Sequence, residues 1–186
     1  HTWQQKPWIS GSAPYVRLEH VAMPTDDATA KAAQSGIAFV TQPIFLYAEI
    51  ESYLTNMGLE RTQENYPVSD WIKSGVRIAF STDAPATAWA EPSNPFACLK
   101  GAVTRKAWDG TDCGQRHRVD IETAIKLYTA KSAPMLGFED VGMLKEGYSA
   151  DFIVLDRDIL AIASDDIDKV RVEETYINGE MVYKMN

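Results

Sequence analysis

Strand-length apolar runs alternate with short capped helices through the first half of this chain, and that alternation restricts its fold more than any other feature. Residues 15–21 read as a strand, and Thr25 then stands as N-cap before Asp26 and Asp27, whose carboxylates suit the positive end of a helix. Gly36 supplies the helix stop, and residues 37–42 form a second apolar run closed by Pro43. The device returns further on: residues 67–70 open a short helix that continues to Lys73, Gly75 ends it, and residues 76–80 make a third strand. Strand, helix, strand, helix, strand is the order of a parallel α/β sheet. The C-terminal strand ends of such a sheet lie on one side, so His20, Gln42 and Asp83 should converge.

The rest of the chain changes character. A connection over residues 84–119 is rich in Pro, Asn, Gly and Trp, with a helix expected around residues 95–105. Asp120 then caps a helix expected to run over residues 121–133. Residues 142–147 read as turns and 151–156 as a strand, and Asn178-Gly179 is a strong hairpin signal. The divisions expected are an irregular segment at 1–14, an α/β part at 15–137 and a smaller β part at 138–186.

A formal charge of -8 over 186 residues argues against an extended nucleic-acid surface, which needs clustered Lys and Arg. The short basic cluster Arg116-His117-Arg118 reads as a solvated loop. No apolar run reaches the roughly 20 residues that cross a bilayer. Cys98 and Cys113 lack CxxC spacing, so reduced thiols and a cytoplasmic location are the expectation.

His20 and Asp83 are the best clue to chemistry, although each taken alone also reads as a structural residue, a strand-terminal His and an Asp in a turn. A neutral imidazole binds zinc, and a nearby carboxylate can share the ion or take a proton from its water. The sequence around them resembles a known family. Arg-Leu-Glu-His ending at His20, Thr41-Gln42-Pro43, Gly75-Val76 before Ser81-Thr82-Asp83-Ala84-Pro85, and Arg105 look like the last third of an amidohydrolase barrel. The resemblance is to the family 3 group, which includes proteins like N-substituted formamide deformylase. It continues through Thr129, Ala133 and the stretch from Gly142 through Leu144, Gly147 and Ala150-Asp151 to Asp156.

That resemblance implies an α/β fold: the C-terminal part of a (β/α)8 TIM barrel, about strands 6 to 8, followed by strands of a small β-sandwich. It implies a hydrolase acting on a carbon–nitrogen bond, amide or formamide-like, with a metal-activated water. His20 and Asp83 would be metal ligands, Asp83 also the acid/base residue, and Gln42 and Arg105 either substrate contacts or structural residues. One or two divalent ions, zinc by expectation, would serve the full enzyme. Its partners would be a small-molecule substrate and the N-terminal part of the same protein, with no nucleic acid or membrane and a homodimer left open. Trp89, Phe96 and Trp108 would shape the pocket, or else cover the core.

Such enzymes draw further ligands from earlier strands, whereas the histidines here are His1, His20 and His117 alone. Three strands do not close a barrel, and two ligands hold a catalytic zinc poorly. The expectation is therefore the C-terminal part of a larger enzyme, inactive by itself. An inactive partial-barrel scaffold or association module is the alternative. A doubly wound nucleotide-binding domain lacks its Gly-rich phosphate loop in this sequence.

Overall fold

The computed structural model describes residues 16–85 and 93–186. The irregular segment expected at 1–14, Tyr15 and Trp89 lie outside these residues. The first sheet is parallel, in the order β1 (Arg17–Glu19), β2 (Ala38–Thr41), β3 (Arg77–Phe80). Its register sets Leu18 beside Phe39 and Phe39 beside Ile78. The second sheet is antiparallel, in the order β4 (Phe152–Leu155), β5 (Val172–Ile177), β6 (Glu180–Lys184).

The helices follow their capping chemistry. Thr25 Oγ1 accepts from the Ala28 amide to start α1 (Asp26–Ser35), and Gly36 ends it in the left-handed region. Pro43 opens α2 (Pro43–Ala48), and α3 (Ile50–Gln63) follows with a kink at Gly58. Gly75, at φ 78, closes α4 (Val68–Ser74), while Asn94 caps α5 (Pro95–Thr104). Asp120 accepts from the Thr123 amide to start α6 (Ile121–Tyr128). This helix ends sooner than the apolar stripe suggests. The Thr129 hydroxyl donates to the Ile125 carbonyl and the Ser132 hydroxyl to the Leu127 carbonyl, so side chains take up the acceptors of the last turn. A 3-10 turn over Ala133–Leu136 follows instead.

The core lies between the parallel sheet and its helices. Phe39, Ile44, Ile50, Trp71 and Phe80 are buried there, each such side chain contributing about 1.5–3 kcal/mol by removal from water. Ile167 and Val170 reach the same core from the C-terminal part. Asp168 secures that contact, accepting from Lys100 Nζ at 2.9 Å and from the Tyr47 hydroxyl at 3.1 Å.

Two expectations need correction. β1, read from the sequence among the apolar runs, lies at the surface: it pairs only with β2 among the described strands, and its residues, Leu18 included, are exposed. His117 is not in a solvated loop. Its side chain is 2% exposed, held between Arg116, Glu64 and Asp70, so neighbouring charges that suggested solvent in fact line a buried imidazole. Among the described residues no helix is long and apolar enough to cross a membrane.

Candidate active site

His20 and Asp83 meet at the C-terminal side of the parallel sheet. β1 and β3 run the same way on either side of β2, so the residues after each strand emerge together. His20 Nε2 stands 3.7 Å from Asp83 Oδ2. The side chains are 53% and 38% exposed, so the pair faces solvent rather than the core. Phe45 of α2 stacks on the His20 ring, with centroids 5.7 Å apart and planes inclined by 14°, and fixes its plane.

Both residues carry backbone strain. His20 has φ 67 and Asp83 φ 56, a region that L-residues rarely adopt outside turns and sites. Such conformations cost about 1–3 kcal/mol each and persist only where surroundings over-determine them. For Asp83 those surroundings begin at Ser81. Its amide donates to the Thr41 carbonyl, and its hydroxyl accepts from Gln42 Nε2 at 2.8 Å. The Ser132 hydroxyl meets the Phe80 carbonyl at 3.2 Å, and the Tyr128 hydroxyl bonds the Thr82 side chain. Burial pushes that tyrosine up to about 12, so it remains a neutral hydroxyl.

Gln42 thus joins the end of β2 to the segment bearing Asp83, but it is 1% exposed and its Oε1 has no hydrogen-bond partner among the described residues. Its geometry is that of a cross-strand tie, the structural one of the two expected roles. Arg105 stands in a structural post as well. Its guanidinium is buried and donates to the backbone carbonyls of Asn65, Tyr66, Cys113 and Gly114. Sequence alone does not separate an arginine that meets substrate from one that satisfies carbonyls.

The donors of the pair suit a divalent cation: one imidazole nitrogen and one carboxylate oxygen. They fall short of the three protein ligands of a catalytic zinc, and among the described residues no group of three His, Cys, Asp or Glu side chains could hold a metal. Phe96 is buried in the core and Trp108 is exposed. Burial pushes the Cys98 thiol up to about 12 and the Cys113 thiol up to about 11, so neither is a ready nucleophile. A cleft of about 780 Å³ lies between α1 and α4, lined in part by Asp70, Trp71 and His117, and it does not include His20 or Asp83.

Comparison with known proteins places this geometry in context. A family model described as the amidohydrolase family matches residues 4–183. The chain is 31% identical over 172 residues to the protein named Putative amidohydrolase YtcJ of Bacillus subtilis, covering 90% of this chain and 32% of that protein. It is 27% identical over 173 residues to the N-substituted formamide deformylase of Arthrobacter pascens, covering 91% and 31%. The chain therefore spans about a third of the length of these curated relatives. Among solved structures, an uncharacterized metal-dependent hydrolase from Pyrococcus horikoshii superposes with a TM-score of 0.67 at 29% identity, over 80% of this chain and 30% of that one.

Proposed function

This chain belongs to the amidohydrolase family, and from that premise we propose that it is the C-terminal part of a metal-dependent hydrolase that cleaves a carbon–nitrogen bond of a small molecule. In this reading β1, β2 and β3 are the last three strands of a (β/α)8 barrel, and β4 to β6 belong to a β-sandwich beside it. The observation that carries the proposal is the 3.7 Å approach of His20 Nε2 to Asp83 Oδ2 from the ends of separate strands. The names of the formamide deformylase and the metal-dependent hydrolase lend support.

His20 and Asp83 would supply two donors to a divalent cation, zinc by donor type, with the remaining donors coming from the rest of a longer protein. Such a cation, when bound, supplies a water acidified towards a pKa of about 7. The work of this chain's residues follows from their positions. Phe45 holds the His20 ring in plane and shields one face from water. Asp83 Oδ2 accepts the proton released as water attacks the carbonyl carbon, and hands it to the leaving nitrogen as the bond breaks. Gln42 keeps the Asp83 segment in register with β2 through Ser81.

The test is made on the full-length protein: metal content by elemental analysis, and amine release from a panel of N-substituted formamides and simple amides. Bound divalent metal, with turnover lost in His20→Ala and Asp83→Asn, is the expected result. A metal-free protein whose turnover is unchanged in Asp83→Asn would falsify the reading. The non-catalytic alternative draws on one observation, the exposed β1 edge with Leu18 in water, which suits an association surface.

A further inference from the structure

We propose that Arg105 is a positioning residue for His20, acting through Tyr66 and the turn that follows β1; this rests on the reading of His20 as a metal donor. Arg105 Nη1 donates to the Tyr66 carbonyl at 3.2 Å and Nη2 to the Asn65 carbonyl at 2.7 Å. On its other side the guanidinium holds the carbonyls of Cys113 and Gly114. The Tyr66 amide in turn donates to the carbonyl of Ala22, in the turn just after His20, at 2.8 Å. One buried cation is therefore linked through the Tyr66 backbone to Ala22, two residues along the chain from the strained His20.

Tyr66 is the vulnerable link. It has φ 49, a genuine outlier for a bulky residue, so its backbone stays there only while partners fix it. Those partners are Arg105 at the carbonyl, Ala22 at the amide and the Tyr53 hydroxyl at 3.0 Å from its own. Loss of the guanidinium fork lets Tyr66 relax and releases Ala22. Lysine does not replace the fork, since one ammonium is a point donor where four carbonyls diverge. Lys100 makes a useful contrast, because its bond to Asp168 secures the C-terminal part and not the turn after His20.

The experiment compares Arg105→Lys with Lys100→Met in the full-length protein, below the melting temperature of both. Zinc affinity is read by chelator competition, and the His20 ring by NMR with its signal assigned through His20→Gln. The expected result is a loss of zinc affinity of roughly 10- to 100-fold and a displaced His20 signal in Arg105→Lys, as for other supporting residues of metal sites. Lys100→Met should leave both within about twofold of wild type by the same reasoning. An unmoved His20 signal and unchanged zinc affinity in Arg105→Lys overturn the proposal and leave Arg105 as an anchor of the fold. Should Arg105→Lys not fold, Tyr53→Phe removes the hydroxyl partner of Tyr66 with Arg105 retained, and the same two readouts decide: a displaced His20 signal supports the Tyr66 link and a constant one overturns it. If the wild-type protein binds no zinc, the metal reading of His20 fails. The NMR signal then judges the positioning alone: displacement supports it and constancy overturns it.

Discussion

His20 Nε2 lies 3.7 Å from Asp83 Oδ2, too far for a hydrogen bond and close enough for both atoms to face one cation. Each residue holds a left-handed backbone at a strand end, so the pair is displayed by strain rather than by packing. Asp83→Asn keeps the shape and removes the proposed proton acceptor. Turnover by the full-length protein should fall by about 10²- to 10⁴-fold, the usual worth of general acid–base catalysis, with thermal stability little changed. Steady-state kinetics beside a melting curve check this.

Gln42 offers a test of how the strand ends are tied. Its Nε2 donates to Ser81 while its buried Oε1 has no partner among the described residues. Gln42→Met fills the same space and removes both the bond and the unsatisfied oxygen, so it should cost less than about 1.5 kcal/mol. Gln42→Ala leaves a cavity as well and should cost about 2–4 kcal/mol. Urea denaturation of the two variants gives the order, and an equal cost would show that the tie rather than the volume matters.

Much of this architecture is legible in the chain because its punctuation is local. Thr25, Gly36, Gly75, Asp120 and Asn178-Gly179 each set an element boundary through their own backbone or side-chain chemistry, and the structure places a cap or turn at each. The convergence of His20 and Asp83 follows from parallel strand order alone. The segment after Pro43 is harder to read, since α2 and α3 lack side-chain caps and Gly58 breaks the second of them. Burial set by distant residues is not written locally at all. His117 lies between two arginines in sequence yet is enclosed by Asp70 and Glu64 from elsewhere, and Arg105 is used up by carbonyls that include those of Asn65 and Tyr66, far from it in the chain.

Two glycines with similar backbones should respond very differently to one methyl group. Gly75 has φ 78 and open space where a Cβ would stand, so Gly75→Ala should cost only the left-handed penalty of about 1–2 kcal/mol. At Gly114, with φ 89, a Cβ would collide with the Gln63 carbonyl oxygen. The loop accepting from Arg105 would have to move, so Gly114→Ala should cost more than about 4 kcal/mol or prevent folding. Denaturation midpoints of the two variants make the comparison.

Acid should weaken this fold through His117 before it reaches the carboxylates. Arg116 Nε donates to His117 Nε2 at 3.0 Å, so the ring proton sits on Nδ1, which lies 3.1 Å from Asp70 Oδ2. Burial pushes the imidazole below its ordinary value, the charges of Arg105 and Arg116 add to that, and Asp70 and Glu64 oppose it. The unfolded chain therefore takes a proton near pH 6.5 that the folded chain resists. The stability contributed by neutral His117 is complete above about pH 6.5 and drains as pH falls through the lower folded value. Partial burial works to raise the Asp70 carboxyl, but Lys73, His117 and Arg116 outweigh it and hold it low, so its own loss comes only below about pH 4. His117→Gln should be less stable than wild type at pH 7.5 by about 1–3 kcal/mol, through loss of a buried partner for Arg116 and Asp70. Between pH 6.5 and 5.5 it should also lose less stability than wild type. Urea denaturation at pH 7.5, 6.5 and 5.5 reads both effects, and parallel slopes in the two proteins would assign the acid sensitivity to another group.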